Sequence, residues 1–109
     1  MYSNYKPALF FAVILLVVIG CSQALYIPTV TDSQKAGIST DSLALGRKLY
    51  VNNCGSCHSL HQPERYTASE WVKLMAEMQK KANCNDQQVA IITKYLQARS
   101  KQVIQIYIN

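Results

Sequence analysis

Hydrophobic and polar residues follow a helical period over three segments of this chain. The first segment runs from about Asp41 to Asn53; Leu45, Leu49 and Asn53 mark one stripe of it, and Gly46 and Tyr50 lie on an adjoining stripe. Apolar residues three and four positions apart are typical of a helix that buries one face. Pro28 lies in the preceding residues 22–39, which show no such period and are predicted to form a partly ordered tether.

The second helix is predicted from its N-terminal signal. In Thr67-Ala68-Ser69-Glu70, Thr67 can cap the helix while Glu70 reaches back to the capping residue. The helix should continue to about Ala82. Its apolar face carries Trp71, Leu74, Met75, Met78 and Ala82.

The third helix is predicted from about Asp86 to Arg99. Its buried face should carry Val89, Ile92, Tyr95 and Leu96. The tail at 103–108 alternates like a strand and is expected to pack on the domain. The predicted fold class is therefore all-α, with about three main helices in one small domain.

An uncharged apolar run at 8–20 follows Lys6. It is too short for an ordinary membrane-spanning helix and has the length of a signal-peptide core. Its end, Val18-Ile19-Gly20-Cys21, resembles the lipobox of bacterial lipoproteins. The resemblance implies cleavage after Gly20 and lipidation of Cys21, and diacylation gives stable membrane anchoring.

An uncleaved N-terminal anchor extending towards Ile27 is the alternative. Both interpretations put the rest of the chain outside the cytoplasm, tethered to a membrane and on the periplasmic side. The expected division of the chain is a signal peptide, a lipidated N-terminus with tether, a helical domain and an apolar tail, over residues 1–20, 21–39, 40–100 and 101–109.

The strongest chemical signal is Cys54-Gly55-Ser56-Cys57-His58. Two thiols at this spacing can each form a thioether to a haem vinyl group, and the adjacent His can bind the iron. The motif predicts one covalent haem c attached through Cys54 and Cys57, with His58 as an iron ligand. A covalent haem also gives a small domain a large apolar nucleus.

Two other kinds of site use similar residues. A thioredoxin-like dithiol belongs near a βαβ pattern, which is absent around Cys54. A zinc site needs further ligands at recognisable spacings, and only Cys84, Cys21 and His61 remain. Cys84 is expected to be a small, partly buried residue.

The second axial ligand is open from the residues alone. His61 follows His58 too closely to reach the opposite face of the same haem. Met75 and Met78 lie about 60° apart on one helix, so periodicity does not separate them. A distal site without any protein ligand is the third possibility.

Several residues around the motif resemble class I c-type cytochromes. A Gly four residues before an aromatic, here Gly46 and Tyr50, precedes the C-x-x-C-H run. In that family this Gly lets the first helix cross the last at close quarters. The last helix should then offer an aliphatic and an aromatic three residues apart, as Ile92 and Tyr95 do.

A closer similarity is to small bacterial haem domains that carry a further pattern of residues after the C-x-x-C-H motif. The matching residues here are Leu60, Pro63, Tyr66, Thr67, Glu70, Trp71 and Met78. This resemblance implies that Met78 is the distal ligand. It also implies that Tyr66 and Trp71 wall the haem and that the Pro63 carbonyl orients His58.

The net charge of the chain adds little to the functional prediction. The chain is mildly basic, at +5 overall. The basic residues are scattered, and no nucleic-acid-binding fold is indicated. The basic residues are expected to form a solvated surface, and the alternative is a docking face for an acidic redox partner. Arg47, Lys48 and Arg65 are candidates to meet haem propionates.

The sequence predicts a membrane-tethered monohaem c-type cytochrome that carries single electrons between redox partner proteins. No catalytic residues and no small-molecule substrate are expected, because the chain offers no paired carboxylates and no activated nucleophile. The alternatives are a gas-binding or sensing haem protein with an open distal site, and a haem subunit of a larger respiratory complex.

Overall fold

The computed structural model describes residues 24–55 and 59–103, together with Pro7 and Phe11. These described residues form a short 3₁₀ helix, Pro63–Arg65, and four α-helices. The α-helices are α1 (Val30–Ala36), α2 (Thr40–Cys54), α3 (Ala68–Ala82) and α4 (Asp86–Ala98). The predicted all-α fold is confirmed.

The three predicted helices are observed to within one residue at each end. Side-chain caps define their N-termini. Ser39 Oγ accepts a hydrogen bond from the Ser42 amide at the start of α2 (3.1 Å). At α3, Thr67 and Glu70 form the predicted capping box. Such caps satisfy amides that have no partner within the helix.

Helix α4 is the centre of the domain and contacts the other three α-helices. It crosses α2 at Gly46, where an added Cβ would lie 2.6 Å from the Ile91 carbonyl oxygen and 2.9 Å from Tyr95 Cβ. The expected close crossing at this glycine is confirmed. The fully buried centre of the core consists of Leu43, Ile92, Tyr95 and Leu96.

Of the two adjoining stripes expected on α2, the buried one carries Gly46 and Tyr50, and the stripe of Leu45 and Leu49 is more exposed. Leu45 is 45% exposed, and Leu49 only packs against the edge of the core. The crossing at Gly46 decides which face turns inward, so the buried residues of α2 are those in line with that glycine. They are Leu43, Gly46, Tyr50 and Cys54.

The prediction of no helix within 22–39 was also wrong, because α1 lies there. Its N-terminus is fixed by a capping box between Thr29 and Asp32. Gly37 ends it in the left-handed region at φ 69°. The buried Asp32 carboxylate pairs with Arg99, through Arg99 Nε at 2.9 Å and Nη2 at 3.0 Å.

Beyond α4 the chain returns to the start of α3. Lys101 forms an isolated parallel bridge with Thr67, and its amide donates to the Tyr66 carbonyl (2.8 Å). The strand-like pattern predicted at 103–108 lies outside the described residues, except for Val103. None of the helices described here has the length and apolar character needed to cross a bilayer.

Candidate functional site

The haem-attachment motif begins at the last residue of α2. Cys54 is buried, and the helix stops at Gly55. Cys57 and His58, like the predicted lipidation site Cys21, lie outside the described residues. The motif therefore starts inside the core and continues from the carboxyl end of α2.

Cys54 lines a cleft between the end of α2, the 59–66 loop and one face of α3. The cavity has a volume of about 90 Å³. Its other lining residues are Tyr50, His61, Tyr66, Trp71, Leu74, Met75 and Met78. The fold thus brings four of the predicted site residues to one place: Cys54, Tyr66, Trp71 and Met78.

Aromatic side chains form one wall of this cleft, and they meet edge to face. The Tyr66 and Trp71 ring centroids are 5.0 Å apart at 84°, and those of Tyr50 and Trp71 are 6.4 Å apart at 85°. Edge-to-face pairs are favourable because the positive ring edge meets the negative ring face. The wall is therefore a packed unit and suits a flat apolar group.

The indole of Trp71 fixes the loop to α3. Its Nε1 donates to the Pro63 carbonyl oxygen at 2.8 Å, and both residues are buried. The family resemblance gave this carbonyl the role of orienting His58. One of its two lone pairs is already used by Trp71, so a bond from His58 would have to use the other.

Tyr50 holds the backbone of His61, which lies three residues after the end of the motif. Its hydroxyl donates to the His61 carbonyl (2.9 Å) and accepts from the His61 amide (3.1 Å). Burial raises the pKa of Tyr50 to about 12. The phenol is protonated at neutral pH, so its hydroxyl can donate the hydrogen bond to the His61 carbonyl.

Both candidate methionines line the cleft. Met75 is 3% exposed, whereas Met78 is half-buried. A thioether sulfur is a soft donor that suits haem iron. Since both sulfur-bearing side chains reach the cleft, the assignment of Met78 remains a prediction.

The three basic residues considered as propionate partners differ in their surroundings, and Lys48 is exposed on α2. Arg47 is engaged elsewhere: its Nε donates to the Tyr26 carbonyl at 3.1 Å and its Nη2 to the Leu25 carbonyl at 3.4 Å. Arg65 lies beside the cleft, with its guanidinium carbon 5.8 Å from the Tyr66 ring centroid.

Cys84 is buried and lies outside the cleft lining, as expected of a small packing residue.

Comparison with known proteins identifies the family. The family model described as dihaem cytochrome c matches residues 50–106, just over half of the chain. The chain belongs to the dihaem cytochrome c family. No curated protein and no solved structure matches this cytochrome.

The family match confirms the prediction of a c-type cytochrome that binds haem. The matched family is a dihaem family. The motifs in the sequence had instead suggested class I monohaem cytochromes. The matched region contains the whole cleft, from Tyr50 to Met78. The chemistry of the lining residues suits contact with a haem c, because they combine an attachment cysteine, an apolar aromatic wall and soft sulfur donors. The cavity of about 90 Å³ is itself too small to enclose a whole haem, so these residues can line only part of its site.

Three lining residues, Tyr50, His61 and Leu74, were not predicted as haem contacts. His61 was considered only as an axial ligand, and its closeness to His58 in the chain argued against that role. Tyr50 was interpreted only as part of the helix crossing, and Leu74 only as part of the apolar face of α3. The spacing of Leu74 from Trp71 and Met78, three and four residues, was the available signal.

Proposed function

We propose that this protein is a membrane-tethered monohaem c-type cytochrome that carries single electrons between redox partners outside the cytoplasm. One observation carries the proposal. The only C-x-x-C-H run of the sequence begins at buried Cys54, which lines the same cleft as Met75 and Met78. Attachment, packing and axial ligation can thus come from one small group of side chains.

In this proposal the chain holds the haem from several elements. Cys54 and Cys57 supply the thioethers, His58 binds the iron, and Met78 supplies a sulfur from α3. Tyr66 and Trp71 pack against the ring. When bound, the haem supplies one-electron oxidation and reduction. With both axial positions filled by side chains, the protein needs no substrate site, so we infer a carrier and not an enzyme.

The number of haems is the point at which the family name and the motif differ. The family is described as dihaem, whereas the 109 residues contain one C-x-x-C-H run. Each covalent haem c needs its own pair of thiols. The other cysteines, Cys21 and Cys84, are far apart in the chain and neither is followed by His. We therefore propose one haem for these residues.

The membrane tether is supported by the sequence before residue 24. The apolar run at 8–20 and the lipobox-like end at Cys21 favour a lipid-anchored protein with the haem domain on the periplasmic side. The excess of basic residues supports an acidic redox partner, since opposite charge raises the rate of encounter.

Visible spectra of matched variants test the proposed ligand. Met78→Leu and Met75→Leu both replace a thioether with a side chain of similar volume, so packing is largely kept. The oxidised wild type should show the weak long-wavelength band that a methionine sulfur gives on ferric haem. Met78→Leu should lose this band, and Met75→Leu should retain it.

Other results would favour other functions. Loss of the band only in Met75→Leu moves the ligand to Met75 and leaves the carrier function in place. A high-spin wild type that binds carbon monoxide readily has an open distal site, which contradicts the carrier and supports gas binding. A protein isolated with stoichiometric membrane partners is a subunit of a larger complex.

A further inference from the structure

The segment that precedes α1 is fastened to the helical domain by its backbone. Arg47 on α2 donates to the carbonyl oxygens of Leu25 and Tyr26, at 3.4 and 3.1 Å. Charge-assisted hydrogen bonds of this kind are stronger than neutral ones. The chain is therefore attached to the domain from Leu25 onwards.

Two tyrosines add a second attachment. The rings of Tyr26 and Tyr95 stack, with centroids 4.5 Å apart and an interplanar angle of 10°. Each hydroxyl donates to the backbone carbonyl of the other residue, that of Tyr95 at 3.0 Å. The guanidinium of Arg99 covers the Tyr26 ring at 4.3 Å and pairs with Asp32 of α1.

This attachment leaves very little free chain before the apolar N-terminal run. Leu25 lies four residues after Cys21, and four extended residues span at most about 14 Å. The polar headgroup layer on each side of a bilayer is about 5–8 Å thick. A chain anchored at Cys21, or by the apolar run itself, would therefore hold Leu25 no more than about 9 Å beyond the headgroup layer.

The residues next to Leu25 suit that position. Ile27 and Val30 are 75% and 68% exposed, and they are among the most exposed large apolar side chains of the described residues. Asp32 is the only acidic residue in 24–36, and its charge is neutralised by Arg99. The exposed Lys35 adds positive charge. Apolar side chains beside unopposed basic charge are typical of interfacial membrane contacts.

We propose that Ile27 and Val30 form a membrane-contact face that enters the headgroup region of a phospholipid bilayer and fixes how the haem domain sits on it. This inference rests on the membrane tether of the proposed function. The partner is the lipid surface itself. The cleft lining contains no residue of 24–36, so the contact face and the described part of the cleft share no residue.

Thiol accessibility in vesicles tests the contact. The mature protein, lipidated at Cys21 and loaded with haem, is reconstituted into vesicles of neutral and anionic phospholipids. Single cysteines are placed by Ile27→Cys, Val30→Cys and Val72→Cys in a Cys84→Ser background. Val72 on α3 is the matched control, since it is an exposed valine at 52%. The labelling rate with a membrane-impermeant maleimide is measured for each.

Exposure in the isolated domain predicts faster labelling at positions 27 and 30 than at 72. The membrane contact predicts the reverse order, with labelling at 27 and 30 slower by about tenfold or more. Labelling at 27 and 30 as fast as at 72, in protein that floats with the vesicles, overturns the contact and leaves the tether intact. Protein that does not float overturns the tether and, with it, the contact.

Discussion

Gly46 of α2 and Ile91 of α4 lie closer together than any side chain at position 46 would allow. A Cβ on Gly46 would stand 2.6 Å from the Ile91 carbonyl oxygen, and backbone cannot rotate away as a side chain can. This contact sets which face of α2 is buried. It therefore also sets the position of Tyr50 and Cys54, four and eight residues further along, in the cleft.

Gly46→Ala should destabilise the domain by about 1–3 kcal/mol, because the added methyl group overpacks the crossing. Helix propensity acts in the opposite direction, by about 1 kcal/mol. Denaturant unfolding followed by circular dichroism measures the net effect. Ala44→Gly, at an exposed position of the same helix, gives the size of the propensity effect alone. A Gly46→Ala protein more stable than wild type contradicts the close crossing.

Trp71→Phe should cost about 1–3 kcal/mol of unfolding free energy. The substitution keeps an aromatic ring in the wall but removes the 2.8 Å bond from Nε1 to the Pro63 carbonyl, which leaves a buried acceptor unsatisfied. The midpoint of urea unfolding checks this expectation. An unchanged midpoint would mean that the bond makes no net contribution to the stability of the loop.

Tyr50→Phe should loosen the loop after the motif. The phenol oxygen both donates to and accepts from the backbone of His61, so both bonds are lost at once. Amide hydrogen exchange at His61 should become faster by about tenfold or more, corresponding to a local loss of at least about 1 kcal/mol. Amides in the middle of α4, such as that of Lys94, should change less. Equal acceleration at both places would indicate global destabilisation instead.

The Asp32–Arg99 pair should make stability depend on pH in the acid range. The hydrogen bonds from Arg99 hold the pKa of the Asp32 carboxyl well below its usual range. A carboxyl whose pKa is lower in the folded protein than in the unfolded chain stabilises the folded protein above about pH 4. This stabilisation is lost as the pH falls towards the pKa of the folded state.

Thermal unfolding from pH 7 to pH 2 tests this linkage with Asp32→Asn as the comparison. At pH 7 the variant should be less stable by about 1.5–3 kcal/mol, the usual value of hydrogen bonds to a charged group. The difference between the two proteins should shrink as the pH falls below about 4. A difference that is constant over the whole range would show that the carboxylate charge does not matter.

The sequence is a good guide wherever the determining interactions are local. Thr67 and Glu70 lie three residues apart and define the start of α3, so the boundary follows from the sequence. Helix α1 was missed because it has only two turns and no apolar period. Its Asp32 is stabilised by Arg99, which lies 67 residues away in the chain.

The site shows the same limit. The attachment motif and the aromatic residues after it are contiguous enough to be recognised from sequence. The buried stripe of α2 depends on a contact with another helix, so the sequence alone did not decide between the stripe of Leu45 and the adjoining stripe of Gly46 and Tyr50. Met75 and Met78 share one face of α3 and both reach the cleft, so neither periodicity nor the fold separates them.

The central claim is that one haem, attached at Cys54 and Cys57, makes this chain a one-electron carrier. The most direct test is a spectroelectrochemical titration of the purified protein, with haem c quantified per chain by the pyridine haemochromogen method. We expect one haem c per chain and a single transition that follows a one-electron Nernst curve. Two haems per chain, two separate transitions or no covalent haem would contradict the account.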